Sequence, residues 1–170
     1  GPSPDLQILT FVSLNVDGVN SKKECVKHIM EKLKPDFIGL QETWLYHHEQ
    51  KVAEEINEKY AAFSKSVDQG LMFPIPMLSK GHGGVSVLWP TSSHNPITLS
   101  DGSNRIVVIQ ENDLVVVNVY MPCRGSYKNC DYQEVLDELH EICQKYGSHF
   151  LIVMGDLNVD IHKQSDTRAR

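Results

Sequence analysis

The sequence predicts an α/β domain whose sheet system is at least partly antiparallel or mixed. An amphipathic helix lies between the first two apolar segments, so the chain opens with a β-α-β unit. The middle of the chain holds β-branched segments separated by turn residues, which is typical of antiparallel strands. A second long amphipathic helix leads into a last apolar strand. Strands that alternate with helices in this way indicate the α/β class.

Hydrophobic periodicity defines the opening unit. Residues 6–16 are rich in β-branched and large apolar residues and predict the first strand. Ser21 and Glu24 match a capping box, and apolar residues then recur at helical spacing as far as the next proline. Residues 36–40 are a short apolar run followed by polar residues, as expected of a buried parallel strand.

The middle of the chain predicts a helix, a long loop and four strands. Residues 49–60 form the helix, because their apolar side chains share one face. Residues 68–82 contain two prolines and two glycines and predict a surface loop of the functional or mobile kind. The strands are predicted over residues 61–66, 83–89, 105–110 and 114–120, with a tight turn between the last two.

The last third of the chain predicts a helix followed by a strand. Asn129 or Asp131 can cap a helix whose apolar positions keep a 3.6-residue period until Gly147 ends it. Residues 149–154 are then a near-continuous apolar strand, which leads directly into the polar sequence GDLN.

Length and composition fit one domain. The 170 residues provide enough material for one hydrophobic core. We assign the domain to residues 5–161, residues 1–4 to a tag-cleavage scar and residues 162–170 to a polar tail. No apolar run approaches the length of a membrane span, so we expect no membrane partner.

Charge and cysteine content narrow the function classes. A net charge of −6 argues against a protein that coats nucleic acid through bulk electrostatics, yet it suits carboxylates around a divalent cation. Four irregularly spaced cysteines do not make a secreted disulfide scaffold and indicate an intracellular setting. Cys123, Cys130, His140 and Cys143 include no Cys-x-x-Cys pair, so buried thiols are favoured over a zinc site.

Polar side chains follow several predicted strands directly. They are Asn15, Glu42, Tyr120, Asp156 and Asn158. The carboxyl ends of strands are where sites on α/β sheets usually lie, so we expect these groups to share one site. An Asp or Asn after a strand is more often a turn residue or a helix cap than a catalytic residue, Glu42 also fits a cap, and Tyr120 also fits a half-buried aromatic. The hypothesis depends on their joint occurrence. Mg²⁺ prefers oxygen ligands, which makes Glu42 the natural metal ligand.

Five short motifs occur in a fixed order along the chain. They are LNVDG at residues 14–18, QETW at 41–44, GGVSV at 83–87, NVYMP at 118–122 and GDLN at 155–158. This series resembles the motif ladder of the exonuclease–endonuclease–phosphatase superfamily. The Gly-Gly-Val-x-x-x-Trp segment, SNRI at 103–106 and NVYMP most resemble the endonuclease domains of LINE-type, non-LTR retrotransposons.

The resemblance implies a two-sheet αββα sandwich of the DNase I-like type. The family ends in further strands with another aspartate and a Ser-Asp-His motif, which nothing here matches. His162 and Asp166 follow the GDLN motif too closely to take that place. We therefore expect a C-terminally truncated domain that lacks its last strands. Its open sheet edge favours a homodimer or strand exchange.

The resemblance also implies residue roles. The residue matching Glu42 binds the metal, Mg²⁺ with Mn²⁺ as a substitute, and Asn15 helps to place the metal and the phosphate. Tyr120 contacts the phosphate, while Asp156 and Asn158 orient or activate the water. Asp156 is our choice for the general base.

The implied function is nicking of DNA to leave a 3′-hydroxyl for target-primed reverse transcription, in the nucleus where DNA is the substrate. Arg105 and Asn118 are expected to bind substrate, although a structural role for Arg105 fits equally well. The shared motifs leave open an abasic-site endonuclease, a deadenylase and a lipid or inositol phosphatase. The non-enzymatic alternative is a catalytically incomplete fragment with a binding or interaction role.

Overall fold

The computed structural model describes residues 8–66, 68, 83–122 and 129–159, with the backbone alone for 129–131. Within these ranges, two four-stranded sheets pack face to face, and helices cover their outer faces. The predicted two-sheet αββα sandwich is therefore confirmed. The predicted tag scar and polar tail lie outside the described residues, as does the predicted surface loop except for Asp68.

The first sheet contains the opening β-α-β unit. Its strands are β1 (Phe11–Asn15), β2 (Phe37–Gln41), β3 (Tyr60–Lys65) and β4 (Val85–Pro90), in the order β1-β2-β4-β3. Helix α1 (Lys23–Leu33) joins the parallel strands β1 and β2. Strand β4 runs antiparallel to both of its neighbours, so the sheet is mixed.

The start of α1 differs from the predicted capping box. Ser21 lies in a 3-10 turn, where its hydroxyl donates to the Gly18 carbonyl at 3.0 Å. The helix begins two residues later, after Lys22, without a side-chain cap. The Gly18 N–H donates to the Glu42 carbonyl at 2.8 Å, which holds the preceding backbone against β2. This tertiary contact outweighs the local capping preference.

The helix predicted over residues 49–60 is wrong in its extent. Helix α2 covers Lys51–Glu54 alone, and Tyr60 already begins β3. The Asn57 side chain accepts the Lys59 N–H at 3.0 Å, a local bond that competes with helical pairing. Tyr60 then pairs with Pro90 in β4, and its hydroxyl donates to the Pro35 carbonyl at 3.2 Å. Sheet pairing therefore ends the helical period early.

The second sheet is built from the later strands. They are β5 (Ile97–Leu99), β6 (Ile106–Glu111), β7 (Leu114–Tyr120) and β8 (Phe150–Asp156), in that order. Strands β6 and β7 form the predicted hairpin, in which Asn112 has a φ of 52°. Helix α3 (Asn129–Lys145) joins the parallel strands β7 and β8. The three-residue strand β5 was not predicted, because it is too short to show a period.

Apolar side chains divide the protein into layers. The layer between the sheets is made of Phe37, Val85, Val87, Trp89, Val107, Ile109 and Val116. Helix α1 contributes Val26 and Met30 to the layer on the outer face of the first sheet. Helix α3 contributes Val135 and Ile142 to the layer on the second. Side chains that alternate along each strand therefore face a helix or the opposite sheet.

Strand β8 is an edge strand of the second sheet within the described part of the chain. It exposes 73% of Phe150 and 42% of Val153, which is unusual for large apolar residues of a strand. Among the described helices, none is both long enough and apolar enough to cross a membrane.

Candidate active site

The carboxyl ends of β1, β2, β7 and β8 meet at one end of the sandwich. Asn15 lies opposite Gln41 in the pairing of β1 with β2, and Tyr120 lies opposite Asp156 in the pairing of β7 with β8. Direct hydrogen bonds join the two strand pairs at this end. The structure therefore brings the predicted catalytic residues together.

The strand period explains why these side chains face one another. Phe11 and Val116 pack in the layer between the sheets. Asn15 and Tyr120 lie four residues further along the same strands and therefore on the same inner faces. As the last residues of their strands, they reach the rim of the space between the sheets.

Asn15 connects two carboxylates that come from different sheets. Its amide nitrogen donates to Glu42 Oε1 at 2.9 Å and to Asp156 Oδ2 at 2.8 Å. Its amide oxygen accepts the Asp17 N–H at 3.1 Å. A neutral amide donor between two carboxylates offsets part of their mutual repulsion and fixes their separation.

Glu42 also receives the Tyr120 hydroxyl, which donates to Oε1 at 2.9 Å. Glu42 has a φ of 55°, a left-handed conformation that is costly for a residue with a Cβ. The Gly18 N–H, which donates to the Glu42 carbonyl, helps to hold this conformation. Backbone strain of this kind is often found where a side chain must be aimed at a site.

The GGVSV motif supports the segment after Glu42. The Gly84 carbonyl accepts the Thr43 N–H at 3.3 Å, and the Gly83 carbonyl accepts the Trp44 N–H at 2.9 Å. Gly84 has a φ of 84°, and a Cβ there would lie 2.5 Å from Thr43 Oγ1. The two motifs are thus packed against each other by backbone contacts that need glycine.

The GDLN motif positions its own carboxylate. Asp156 Oδ1 accepts the Asn158 N–H at 3.0 Å, and the Asn158 amide donates to the Met121 carbonyl at 2.6 Å. Gly155 has a φ of 147°, and a Cβ on it would lie 1.9 Å from the Val119 carbonyl oxygen. The glycine is therefore required for β8 to approach β7 closely enough to present Asp156.

Arg105 contacts the site through Tyr120. Its guanidinium carbon lies 5.4 Å from the centre of the Tyr120 ring, and Nη1 lies 3.5 Å from the Tyr120 carbonyl oxygen. The Tyr120 N–H in turn donates to the Arg105 carbonyl at 2.9 Å. Arg105 is therefore brought to the site, and its contact with substrate stays a prediction.

Asn118 does not reach the open part of the site. It is fully buried, and its amide nitrogen donates to the carbonyls of Leu40 and Ser86, each at 2.9 Å. Its oxygen accepts a hydrogen bond from Gln41 Nε2 at 2.7 Å. These three hydrogen bonds connect the two sheets beneath the site, and a contact of Asn118 with substrate stays a prediction.

Gln41 was not predicted as a site residue. It is buried, and besides Asn118 it donates to Ser13 Oγ at 3.2 Å. A signal for it does exist in the sequence, because a polar residue that ends an apolar strand next to Glu42 needs internal partners. Gln41 and Asn118 together form a polar bridge between the sheets, directly below the cluster of Asn15, Glu42, Tyr120 and Asp156.

The donors of the cluster suit a hard cation. No group of three or more His, Cys, Asp or Glu side chains within the described ranges is arranged to hold a metal. Mg²⁺, however, usually keeps several waters and is held by one or two carboxylates. Glu42, Asp156 and the Asn15 amide offer oxygens of this type, and Asn15 and Asp156 line an open cleft of about 610 Å³. For the disfavoured zinc site, Cys123 and the side chain of Cys130 lie outside the described part of the chain.

Known proteins resemble this chain in sequence and in fold. An exodeoxyribonuclease III of Haemophilus influenzae is 27% identical over 172 residues, which cover 89% of this chain and 58% of that protein. An AP endonuclease from Archaeoglobus fulgidus superposes with a TM-score of 0.69 at 23% identity, again over 89% of this chain and 58% of the other. A 3′ phosphatase from Neisseria, bound to a product DNA hairpin, superposes with a TM-score of 0.67 at 17% identity, over the same shares of the two chains.

These relatives are longer than the present chain, which spans about 58% of their length. The sequence profile of the Endonuclease/Exonuclease/phosphatase family matches residues 12–167. That range includes every motif described above and all eight strands except the first residue of β1. The chain therefore belongs to the endonuclease/exonuclease/phosphatase family.

Proposed function

We propose that the protein hydrolyses DNA phosphodiesters in a metal-dependent reaction and nicks DNA to leave a 3′-hydroxyl. The observation that carries the proposal is the Asn15 amide, which holds Glu42 and Asp156 together at the rim of the two sheets. Because the chain spans about 58% of its relatives, the proposed activity is that of the whole protein to which these residues belong.

Each residue of the cluster has its own role in the proposed reaction. In the proposed reaction, a water oxygen attacks the phosphorus and the P–O3′ bond breaks. Asp156 accepts the water proton, and it is fixed for this purpose by Asn15 and by the Asn158 N–H. The leaving 3′ oxygen takes a proton from solvent. The Tyr120 hydroxyl, which lies at the same rim, donates to a phosphoryl oxygen.

Glu42 and Asn15 would hold the divalent cation, Mg²⁺ or its substitute Mn²⁺. When bound, the cation supplies positive charge that stabilises the phosphoryl oxygens. Asn15 would contribute its Oδ1, which accepts the Asp17 N–H in the present structure. An all-oxygen donor set supports a hard cation over zinc.

The names of the relatives support DNA as the substrate, because they describe an exodeoxyribonuclease, an AP endonuclease and a phosphatase bound to a DNA hairpin. We assign the protein to a LINE-type retrotransposon, where the nick primes reverse transcription in the nucleus. This assignment is supported by the sequences of three segments, GGVSVLW, SNRI and NVYMP. The contact of Arg105 with Tyr120 supports SNRI as part of the site.

Nicking of supercoiled plasmid tests the proposal. The chain, a form extended to the length of its relatives, and their Glu42→Ala variants are each incubated with Mg²⁺ or with EDTA. We expect the extended form to nick with Mg²⁺ and to lose activity with EDTA. Glu42→Ala should lower its rate about a hundredfold or more. Glu54→Ala, an exposed glutamate of α2, is the matched control and should keep the full rate.

Polymerase extension from the nick would establish the 3′-hydroxyl. An oligonucleotide with one abasic site separates general nicking from abasic-site cleavage. If neither length of the protein cuts plasmid or abasic DNA, the nuclease proposal is wrong. The family chemistry would then be sought with RNA, inositol phosphate and phospholipid substrates, and absence of turnover on all of them would leave a binding fragment.

A further inference from the structure

Lys65, the last residue of β3, is a buried cation that the proposed chemistry does not use. It is 5% exposed, and its Nζ donates to the carbonyls of Asp101 at 2.7 Å and Gly102 at 3.0 Å. Burial lowers the pKa of the Lys65 ammonium. Among the described residues, the ion pairs within 4.0 Å do not include Lys65. Neutral carbonyls therefore hold the charge.

A charge held in this way is expensive for folding. The ammonium loses its hydration on burial, and the nearby Asp101 and Glu138 carboxylates offset this cost only in part, since the pKa of Lys65 is still lowered. Fold stability alone thus gives little reason for a lysine at this position. The two carbonyls that it selects belong to one short segment, Ser100 to Asn104, which leads into β6.

The segment is also fixed from its other side by α3 and the residue after it. Asp101 accepts hydrogen bonds from Lys145 Nζ at 2.6 Å and from the Tyr146 hydroxyl at 2.8 Å. Burial opposes ionisation of Asp101, but these bonds outweigh it and lower its pKa. The Ser103 N–H donates to Glu138 at 2.9 Å. Lys65 thus clamps the segment between β3 and α3.

Arg105 follows the clamped segment without a break. The Ile106 N–H donates to the Ser103 carbonyl at 3.2 Å, so the turn closes around Arg105. Arg105 then lies against the ring and the backbone of Tyr120, and the Tyr120 hydroxyl donates a hydrogen bond to Glu42. A continuous series of contacts leads from Lys65 to the metal ligand.

We propose that Lys65 is a positioning residue for the reaction, acting through the Asp101–Gly102 carbonyls to fix Arg105 against Tyr120. This inference rests on the proposed function for its kinetic consequence. Lys65 contacts the segment and not the catalytic cluster, so its removal displaces Arg105 and Tyr120 instead of deleting a reacting group. A displacement of about 1 Å is sufficient to slow a positioned reaction by as much as a hundredfold.

A double-mutant cycle on the extended, active protein tests the pathway. Lys65→Met keeps the length of the stem and removes the ammonium, and Lys59→Met, an exposed lysine, is the matched control. We expect Lys65→Met to lower kcat about tenfold with little change in KM, and Lys65→Arg to retain kcat within about threefold. In an Arg105→Ala background, the addition of Lys65→Met should lower kcat by less than a further factor of about two. Equal losses in both backgrounds, or no loss in either, would overturn the proposal.

Amide hydrogen exchange on the same variants separates this inference from the proposed function. We expect Lys65→Met to speed exchange of the Ile106 and Tyr120 N–H groups about tenfold, because both are bonded to the clamped turn. The same change should appear even if the wild-type protein cuts no DNA, in which case only the proposed function fails. Unchanged exchange at both groups would overturn the role of Lys65 whatever the substrate.

Discussion

Amide side chains organise the site at the scale of single residues. Asn15 donates to one carboxylate from each sheet, and Asn118 beneath it donates to one carbonyl from each of two strands of the first sheet. The Gln41 amide nitrogen donates hydrogen bonds to Asn118 Oδ1 and to Ser13 Oγ. Amides suit this work because they offer donors and an acceptor without adding a charge to an acidic site.

Tyr120→Phe is expected to slow catalysis without unfolding the protein. It removes the hydroxyl that donates to Glu42 in this structure and to a phosphoryl oxygen in the proposed reaction, and a hydrogen bond to a charged group contributes about 1.5–3 kcal/mol. The rate of plasmid nicking should therefore fall about tenfold to a hundredfold. Tyr60→Phe removes a hydroxyl at the opposite end of the sandwich and should keep the rate. A Tyr120→Phe rate within twofold of wild type would contradict the assigned role.

Asn118→Ala is expected to destabilise the fold. The change leaves the Leu40 and Ser86 carbonyls and Gln41 Nε2 without their present partner in a buried layer. We expect the free energy of unfolding in urea to fall by about 3 kcal/mol. The exposed Asn20 provides the control, since Asn20→Ala should change it by less than about 0.5 kcal/mol. Equal effects of the two changes would show that the bridge contributes nothing.

Sequence alone could place the proposed catalytic residues together but not the residues that support them. Asn15 and Glu42 end apolar strands within recognisable motifs, so their common location followed from the strand order. The strand period gives the face on which Asn118 lies, but not the partners that bury it. Lys65 has no motif at all, because its partners are backbone carbonyls of a distant turn.

Elements that depend on tertiary contacts were the hardest to predict. The predicted strands after the first and α3 have strong periods and were found within two residues of their bounds, whereas the first strand was predicted too long, since residues 8–10 precede β1. Helix α2 was overextended, and β5 was missed. Both elements are short, and pairing with a neighbouring strand determines the conformation there more strongly than local preference does.

Gly155→Ala tests how closely β8 must approach β7. A Cβ would meet the Val119 carbonyl oxygen at 1.9 Å, so the strands must separate. We expect a loss of stability on the order of 3 kcal/mol in thermal or urea unfolding, together with loss of nicking. In Gly147→Ala the new Cβ lies 3.3 Å from the nearest atom, the Cys143 carbonyl oxygen, and the change should cost less than about 1 kcal/mol. Similar stabilities of the two variants would refute the argument.

One histidine and two carboxylates form a hydrogen-bonded cluster between the sheets, at the end of the sandwich opposite the site. His94 Nε2 lies 2.9 Å from Asp36, which precedes β2, and Nδ1 lies 2.6 Å from Glu111 at the end of β6. The imidazole thus connects the two sheets. Burial disfavours its charged form, but the hydrogen bonds to both carboxylates outweigh burial and raise the pKa of His94.

The raised pKa of His94 predicts a pH-dependent stability. Because the folded pKa lies above the unfolded value of about 6.5, the contribution is complete below pH 6.5 and is lost as pH rises through the folded pKa. His94→Gln should therefore cost about 1–3 kcal/mol near pH 5.5 and less at alkaline pH. Urea unfolding at both pH values checks this, with the exposed His28→Gln as control. A cost that grows with pH would contradict the sign.

Self-association through the open sheet edge stays a prediction. Phe150 and Val153 of β8 are largely exposed, and β7 is the strand to which β8 pairs in the described part of the chain. Val153→Lys places a charge on this edge and should reduce any concentration-dependent increase in mass measured by light scattering. A wild-type monomer at high concentration would show that the edge does not pair.

The hydrogen bond between Asn15 and Asp156 joins residues that are 141 positions apart. During synthesis the first sheet can form as soon as β4 leaves the ribosome, but the carboxylate that completes the cluster emerges only after α3 and β8. Such distant pairing is also among the slower steps of folding. If the proposed function holds, a nascent or partly folded chain is unable to cut DNA, and nuclease activity reports that β8 has docked.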